Sequence, residues 1–510
     1  MARLHEFQGK VLLAQHKIPT PSGRAAATPE EARAIAEEIG RPVMVKMQAW
    51  VTGRAGLGGI VKAANPDEAA AAAAGMLGRR VKNFTVDWVL VEEQVNIERE
   101  FYAGIIVDDV SQSPVMVFSS VGGTGIEEIA EEHPEAVAKT TIDVVRGLQD
   151  YQARDLARRA GVKGKLLNKL AGTLVRLWAT ARDTEARTAE INPLALTADG
   201  KLVAADCRIT VDDYAVFRHK ELGIEIAREM DRPPTELERI AYAVEADDYR
   251  GTFFFLQMQE DFIKGDKVVG FHGAGGGGSM MSMDAVLNKG YKLANFVDTS
   301  GNPPASKVYR AARIILAQPG LDGYFGSGSG VASQEQFHSA RGLVKAFLEA
   351  PLMVPAVIRL GGNAEDQAVE IFEQLNGLTP APVEGYKKDD SPDYCAQRLD
   401  ALIQEYTPPA ETPPGRTKPI AEKPYSFETV TGGTVTLDHG RCAECENKIC
   451  VETCARNILE LNADGLPVLN ITLQEAKKGR CIECLACDVE CYFHGNRGGF
   501  VELPVKGLGR

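Results

Sequence analysis

The chain has 510 residues, 44% apolar and 25% charged, an ordinary globular composition that allows about three or four domains. Its formal net charge of −13 argues against nucleic acid as a partner, because a phosphate backbone rewards a basic surface. No apolar run reaches the ~20 residues that span a bilayer, and the opening MARLHEFQGK has no apolar core of signal-peptide length, so a cytoplasmic protein with no membrane partner is expected.

Residues 1–235 mix alanine-rich helices with short β-branched strands. A Thr-Pro pair opens a predicted helix within 26–39, Val43 to Met47 reads as a strand, and Asn65-Pro66 caps a helix reaching residue 77. Between Lys46 and Ile60 the pattern is strand, glycine-rich loop, strand. Gly53, Gly56, Gly58 and Gly59 would let backbone N–H groups approach phosphate oxygens, and Lys46 and Arg54 would compensate phosphate charge. The Walker A ending is absent, and a plain hairpin with glycines at strained positions is the competing reading. Farther on, Glu190 to Leu194, a turn at Asp199-Gly200, and Lys201 to Asp206 read as a hairpin carrying Asn192 and Asp206 on neighbouring strands. Hard oxygen donors suit Mg²⁺ bridging nucleotide phosphates. Such a pair alone is more often a turn feature; beside the first loop, metal–nucleotide binding is the better reading.

Residues 236–385 alternate strands and helices in the manner of a parallel α/β sheet, with strands at 268–271, 294–298, 320–325 and 354–360. The run His272 to Gly278 ends one strand and precedes a helix from about Ser279, a place that favours an anion. A proline-rich stretch with weak periodicity after Tyr406 predicts a linker over 386–430.

The last segment, 431–510, carries two cysteine runs. Cys442, Cys445, Cys450 and Cys454 are spaced C-x2-C-x4-C-x3-C; Cys481, Cys484, Cys487 and Cys491 are spaced C-x2-C-x2-C-x3-C. The second spacing is that of bacterial two-cluster ferredoxins apart from a final proline. Three close thiolates can hold three irons of a cubane, the fourth ligand coming from the other run. Two structural zinc sites are the alternative. By resemblance to two-cluster ferredoxins, Cys442, Cys445, Cys450 and Cys491 would hold one [4Fe-4S] cluster, and Cys481, Cys484, Cys487 and Cys454 the other. Cys207 and Cys395 read as core or surface thiols.

Residues 1–385 closely resemble the β subunit of succinyl-CoA synthetase, an ATP-grasp protein. The segments that carry the resemblance are LHEFQGK near the start, GRAGLGG at 53–59, LVEE at 90–93, REFYAGIIVD at 99–108, the run 190–213, and HGAGGGGSMMSMD at 272–284. It implies an α/β multidomain protein. An ATP-grasp domain at 1–235 would sandwich the nucleotide between two antiparallel sheets. A flavodoxin-like parallel-sheet CoA-ligase domain would follow at 236–385, then the linker and a small bacterial-ferredoxin-like α+β domain at 431–510.

The same resemblance implies roles. Lys46 and the 53–59 loop would contact the phosphates of ATP or GTP, Glu92 would lie near the adenine–ribose hinge, and Glu100 near the phosphates. Asn192 and Asp206 would coordinate Mg²⁺. Gly275, Gly276 and Gly277 would lie near a phosphorylated histidine of an α-like partner that also binds CoA and a carboxylic acid, and His272 would be structural. Asp298, Asn363 and the 326–330 loop would line the carboxylate or the subunit interface. Val121 and Gly361 stand where the family commonly has glutamate, which bears on the acid and on the phosphate relay. The implied function is the nucleotide-binding subunit of a hetero-oligomeric carboxylate–CoA ligase that runs in either direction. Its tail would be an electron-transfer module facing a redox enzyme or ferredoxin. The competing expectation is an ATP-coupled electron-transfer subunit without ligase turnover.

Overall fold

The computed structural model describes residues 2–123, 125–228, 232–328, 330 and 332–509. It divides into two units, Met1–Pro234 and Thr235–Arg510. Local chemistry sets the first helices. Thr28 accepts the Glu31 N–H at 3.2 Å ahead of helix Pro29–Ile39, and Asn65 accepts that of Glu68 at 3.0 Å ahead of helix Pro66–Met76. Helix Pro29–Ile39 begins at the Thr-Pro pair, and Ala26, read as part of it, instead ends the edge strand Gly23–Ala26. Both helices bury alanines and one larger side chain, Ile35 and Met76, against Val43, Val45, Val89 and Val91. The sheet beneath them is antiparallel, in the order Gly23–Ala26, Trp88–Glu93, Val43–Gln48, Ile60–Ala63.

A second antiparallel sheet completes this unit. Its order is Ala2–Arg3, Cys207–Val211, Ala186–Thr197, Ile97–Asp108, Ser113–Ser119, Val137–Thr141, with Leu202–Ala204 also paired to Ala186–Thr197. Strand Ala186–Thr197 changes partner midway. Ile191 pairs with Cys207 and Leu194 with Ala204, leaving Asn192-Pro193 opposite Ala205-Asp206 at the break.

The second unit is built on a mostly parallel sheet. Strands Asn295–Asp298, Val268–Ala274, Gly323–Gly328, Ala356–Arg359 and Val383–Tyr386 run in that spatial order, with Phe254–Gln257 antiparallel at the edge. The parallel part has the 2-1-3-4-5 order of flavodoxin-like sheets, whose ligands sit beyond the strand carboxyl ends where the order reverses. The glycine run after Val268–Ala274 is at that place, and helix Gly276–Asn288 begins there, three residues before the predicted start.

Two expectations for the C-terminal third are corrected. The stretch 386–430 is not a tether throughout. Ser391 caps helix Pro392–Glu405, whose Cys395, Leu399 and Leu402 are buried with Val269 and Phe271 of the parallel sheet. Nor is 431–510 a free ferredoxin-like module. The antiparallel sheet Pro424–Glu428, Thr434–Asp438, Gly499–Glu502 shares one apolar cluster with Tyr309 and Phe347 of the α/β layer. Buried ion pairs fasten it: Lys345–Asp488 at 2.6 Å, Arg416–Asp488 at 2.6 Å and Arg341–Glu490 at 2.8 Å. Among the described residues no group of three or more His, Cys, Asp or Glu side chains is placed to hold a metal ion. No helix among them is long and apolar enough to cross a membrane.

Candidate nucleotide site

The glycine-rich loop joins Val43–Gln48 to Ile60–Ala63, and the register break holds Asn192 against Asp206, whose carbonyl accepts the Asn192 N–H at 3.2 Å. Both features open on one cavity of about 550 Å³ lined by Glu6, Gly53, Arg54, Glu190, Asn192 and Asp206, among others. His5 and Trp50 also line it, with their rings stacked at 4.9 Å; burial is the main cause that lowers the His5 pKa to about 4.

Beneath the cavity lies a set of buried charges. Lys46 Nζ is 2.9 Å from Glu6 and 2.7 Å from Glu92. Arg54 Nη2 is 2.7 Å from both Glu6 Oε2 and Asp206 Oδ2, and Nη1 donates to the Met47 carbonyl. Burial works against the charge on Glu6, but the ammonium groups of Lys10 and Lys46 and the Arg54 guanidinium outweigh it and hold the carboxyl well below the usual range. Lys46 and Arg54 are pushed up, against burial, by the carboxylates beside them. Asp206 moves upward because burial, with the Glu6 charge, exceeds the help from Arg54 and the lysines.

Of the residues expected from sequence, Gly53, Arg54, Asn192 and Asp206 meet at the cavity. Gly58 and Gly59 use their N–H groups within the loop, donating to Ala55 and Arg54 carbonyls, so the second half of the glycine run serves the turn. Glu92 is 2% exposed and pairs with Lys10 and Lys46. Glu6 and Lys10 were not singled out as site residues; both lie in the LHEFQGK segment, whose recurrence in the family was the available signal. For Mg²⁺, which takes one or two protein oxygens plus phosphate and water, the Asn192 and Asp206 oxygens are a fitting donor set.

Gly123 holds Asn192, donating its N–H to Oδ1 at 3.0 Å. A Cβ on Gly122 would lie 2.6 Å from the Phe101 carbonyl oxygen, a backbone atom; one on Gly123 would meet only the movable Glu100 carboxylate, but Gly123 is held at φ +93°. Gly122→Ala is therefore expected to cost about 1–3 kcal/mol of stability. An unchanged midpoint in urea denaturation would show that this backbone can give way.

At the second glycine run, Gly275 has φ +94° and donates its N–H to Asp298 Oδ1 at 3.0 Å; a Cβ on Gly276 would come 3.5 Å from Asp298 Oδ2, while one on Gly277 would meet open space. Asn363 donates to the Ser333 carbonyl. Of the 326–330 loop, Ser329 lies outside the described residues. His272 is 4% exposed and bonded at 2.6 Å to the Tyr324 hydroxyl, and burial lowers its pKa to about 3. It has no opening from which to take a phosphoryl group. His272→Gln is expected to leave phosphoryl transfer within about threefold, and a loss beyond about tenfold would return His272 to the mechanism.

The iron–sulfur expectation is corrected at the level of donors. Thiols of the two runs do approach one another: Cys491 and Cys445 act electrostatically on Cys442, and Cys484 and Cys454 on Cys481. Burial is the main cause that pushes Cys442 up to about 11, and Cys450 and Cys481 up to about 12. No three donors among the described residues form a metal-holding group, which does not support the expected two [4Fe-4S] clusters or an electron-transfer module. Cys207 and Cys395 are buried core thiols.

Comparison with known proteins bears on about three quarters of the chain. The ATP-grasp domain family matches residues 3–196. A succinate–CoA ligase [GDP-forming] subunit beta from Thermus thermophilus is 39% identical over 371 residues, covering 72% of this chain and 93% of the relative. A succinate–CoA ligase [ADP-forming] subunit beta from Deinococcus radiodurans is 37% identical over 377 residues, covering 73% and 93%. The structure of ATP citrate lyase from Methanothrix soehngenii, in complex with citrate and coenzyme A, superposes with a TM-score of 0.64 at 19% identity, covering 79% of this chain and 100% of that one. That likeness concerns the fold alone.

Proposed function

This chain belongs to the family of succinate–CoA ligase beta subunits, and from that premise we propose that its cavity binds a nucleoside triphosphate and passes the terminal phosphoryl group to a histidine of the partner. It is a subunit of an ADP- or GDP-forming acid–thiol ligase that requires an alpha-like partner. The observation that carries the proposal is the convergence of Arg54, Asn192 and Asp206 on one cavity beside the glycine-rich loop.

The Gly53 end of the loop offers backbone N–H groups to phosphate oxygens, and the Arg54 fork meets phosphate charge. Lys46 approaches the phosphates from beneath, Glu100 borders them through Gly123, and Glu92 holds the lysines. Asn192 and Asp206 would hold Mg²⁺, which would offset phosphate charge when bound. In the forward direction the bond between the terminal phosphorus and its bridging oxygen breaks, a bond to the partner's histidine nitrogen forms, and a nucleoside diphosphate leaves. The phosphohistidine then faces Gly275, Gly276 and Gly277, where the start of helix Gly276–Asn288 favours an anion. The phosphoryl group passes to a carboxylic acid, and CoA, held mainly by the partner, displaces phosphate to give the thioester.

The test uses this chain copurified with an alpha-like partner, nucleotide labelled in the terminal phosphate, CoA and a panel of carboxylic acids. Label on a partner histidine, discharged by an acid with CoA, is expected. Bound nucleotide without any labelling or thioester would overturn the proposal.

A further inference from the structure

Two buried ammonium groups share one set of acceptors. Lys46 Nζ lies 2.9 Å from Glu6 Oε1 and 2.7 Å from Glu92 Oε1, and donates to the Ala205 carbonyl at 2.8 Å. Lys10 Nζ lies 2.8 Å from the same Glu6 oxygen and 2.5 Å from Glu92 Oε2, and donates to the same carbonyl at 2.8 Å. None of these four side chains is more than 9% exposed. They arrive from different places. Glu6 and Lys10 are four residues apart on helix Glu6–Gln15, which puts them on one face, while Lys46 and Glu92 come from paired strands of the smaller antiparallel sheet.

Two like charges held this close repel, and one ammonium would already neutralise much of what both carboxylates present. The duplication has a use if one lysine leaves. Arg54 lines the cavity, whereas Lys46 is held beneath it by Glu6, Glu92 and Ala205. Turning Lys46 toward a phosphate would take a cation from two buried carboxylates; Glu6 would keep the Arg54 guanidinium at 2.7 Å, but Glu92, paired with Lys10 and Lys46, would depend on Lys10, and an uncompensated buried charge is strongly unfavourable. With Lys10 in place, all three acceptors keep an ammonium.

We propose that Lys10 is a positioning residue, a resident counter-ion that holds Glu6, Glu92 and the Ala205 carbonyl so that Lys46 can engage nucleotide phosphate. The proposal rests on the nucleotide-binding reading of this cavity. Lys10 touches neither nucleotide nor the transferring group; it acts through Lys46.

Titration calorimetry with Mg·ATP and Mg·GTP on the full chain, and initial rates of the assembled ligase, test it. Lys10→Gln is expected to raise the nucleotide Kd and KM by about tenfold or more while kcat stays within about threefold, because Lys46 acts normally once drawn out. Lys10→Arg should restore most of the affinity. Lys10→Gln combined with Lys46→Gln should bind no more weakly than Lys46→Gln alone, since nothing remains to be released. Should Lys10→Gln fail to fold, Lys10→Gln with Glu92→Gln removes one charge of each sign; with no carboxylate at position 92 left to strand, its Kd is expected within about threefold of that of Glu92→Gln alone, and a tenfold rise over that variant overturns the proposal. A Kd unchanged from wild type in folded Lys10→Gln, or effects of Lys10 and Lys46 that add, overturns the proposal. A wild-type chain that binds neither Mg·ATP nor Mg·GTP overturns the nucleotide reading itself, and is told apart by that control.

Discussion

Lys345→Met is expected to lower the stability of the Thr235–Arg510 unit by about 3–5 kcal/mol, the range for removing one partner of a buried pair. Lys345 and Asp488 are both 0% exposed and 2.6 Å apart. The ammonium also reaches Glu349 at 2.5 Å and lies 4.2 Å from the centroid of the Phe500 ring. Without it Asp488 keeps Arg416 and the Val501 N–H, but Glu349 loses its lysine. Urea denaturation of wild type and variant measures the difference, and a loss below about 1 kcal/mol would mean that Arg416 alone compensates Asp488. The pH dependence provides a second check. Burial opposes the Asp488 charge, yet Lys345 and Arg416 outweigh it and hold the carboxyl below its usual range. A carboxyl depressed in the folded state contributes stability that is present above its unfolded value of about 4 and lost as pH falls through the lower folded value. The stability curves of the two proteins should therefore converge in acid and separate above about pH 4.

Arg54→Met is expected to slow phosphorylation of the partner's histidine by about a hundred- to a thousandfold, the size seen when a preorganised charge donor is removed from a transferring group. Arg54 both lines the cavity and pairs with Asp206. Arg54→Lys should recover only part of the rate, because one ammonium nitrogen cannot donate to the Met47 carbonyl while also meeting Glu6 and Asp206, as Nη1 and Nη2 of the guanidinium do. Single-turnover transfer of labelled phosphate is the measurement, with thermal melts run alongside because Glu6 and Asp206 lose a buried partner. A loss under about tenfold in a folded variant would place Arg54 away from the transferring phosphate.

Neighbours in the chain settled much of this protein. Thr28-Pro29 and Asn65-Pro66 start helices because a cap is satisfied within three residues. The glycine runs at 53–59 and 275–278 fall where strands end in turns, and short β-branched strands between helices gave the parallel sheet. Asn192 and Asp206 were legible as a pair because one hairpin carries both. Contacts between distant residues decided the rest. Glu6, Lys46, Glu92 and Ala205 meet only when strand pairing and a helix face bring them under one cavity, so Glu92 became a buried counter-ion and Glu6 and Lys10 entered the site unforeseen. The cysteine spacing described donors along the chain, but whether three of them stand where they could hold one metal ion is a matter of three-dimensional placement, and among the described residues no such group forms. The C-terminal segment likewise read as a tethered module from its prolines. Its seat on the α/β layer depends on Lys345 meeting Asp488 across 143 positions, a distance over which burial and charge compensation act and local pattern is silent.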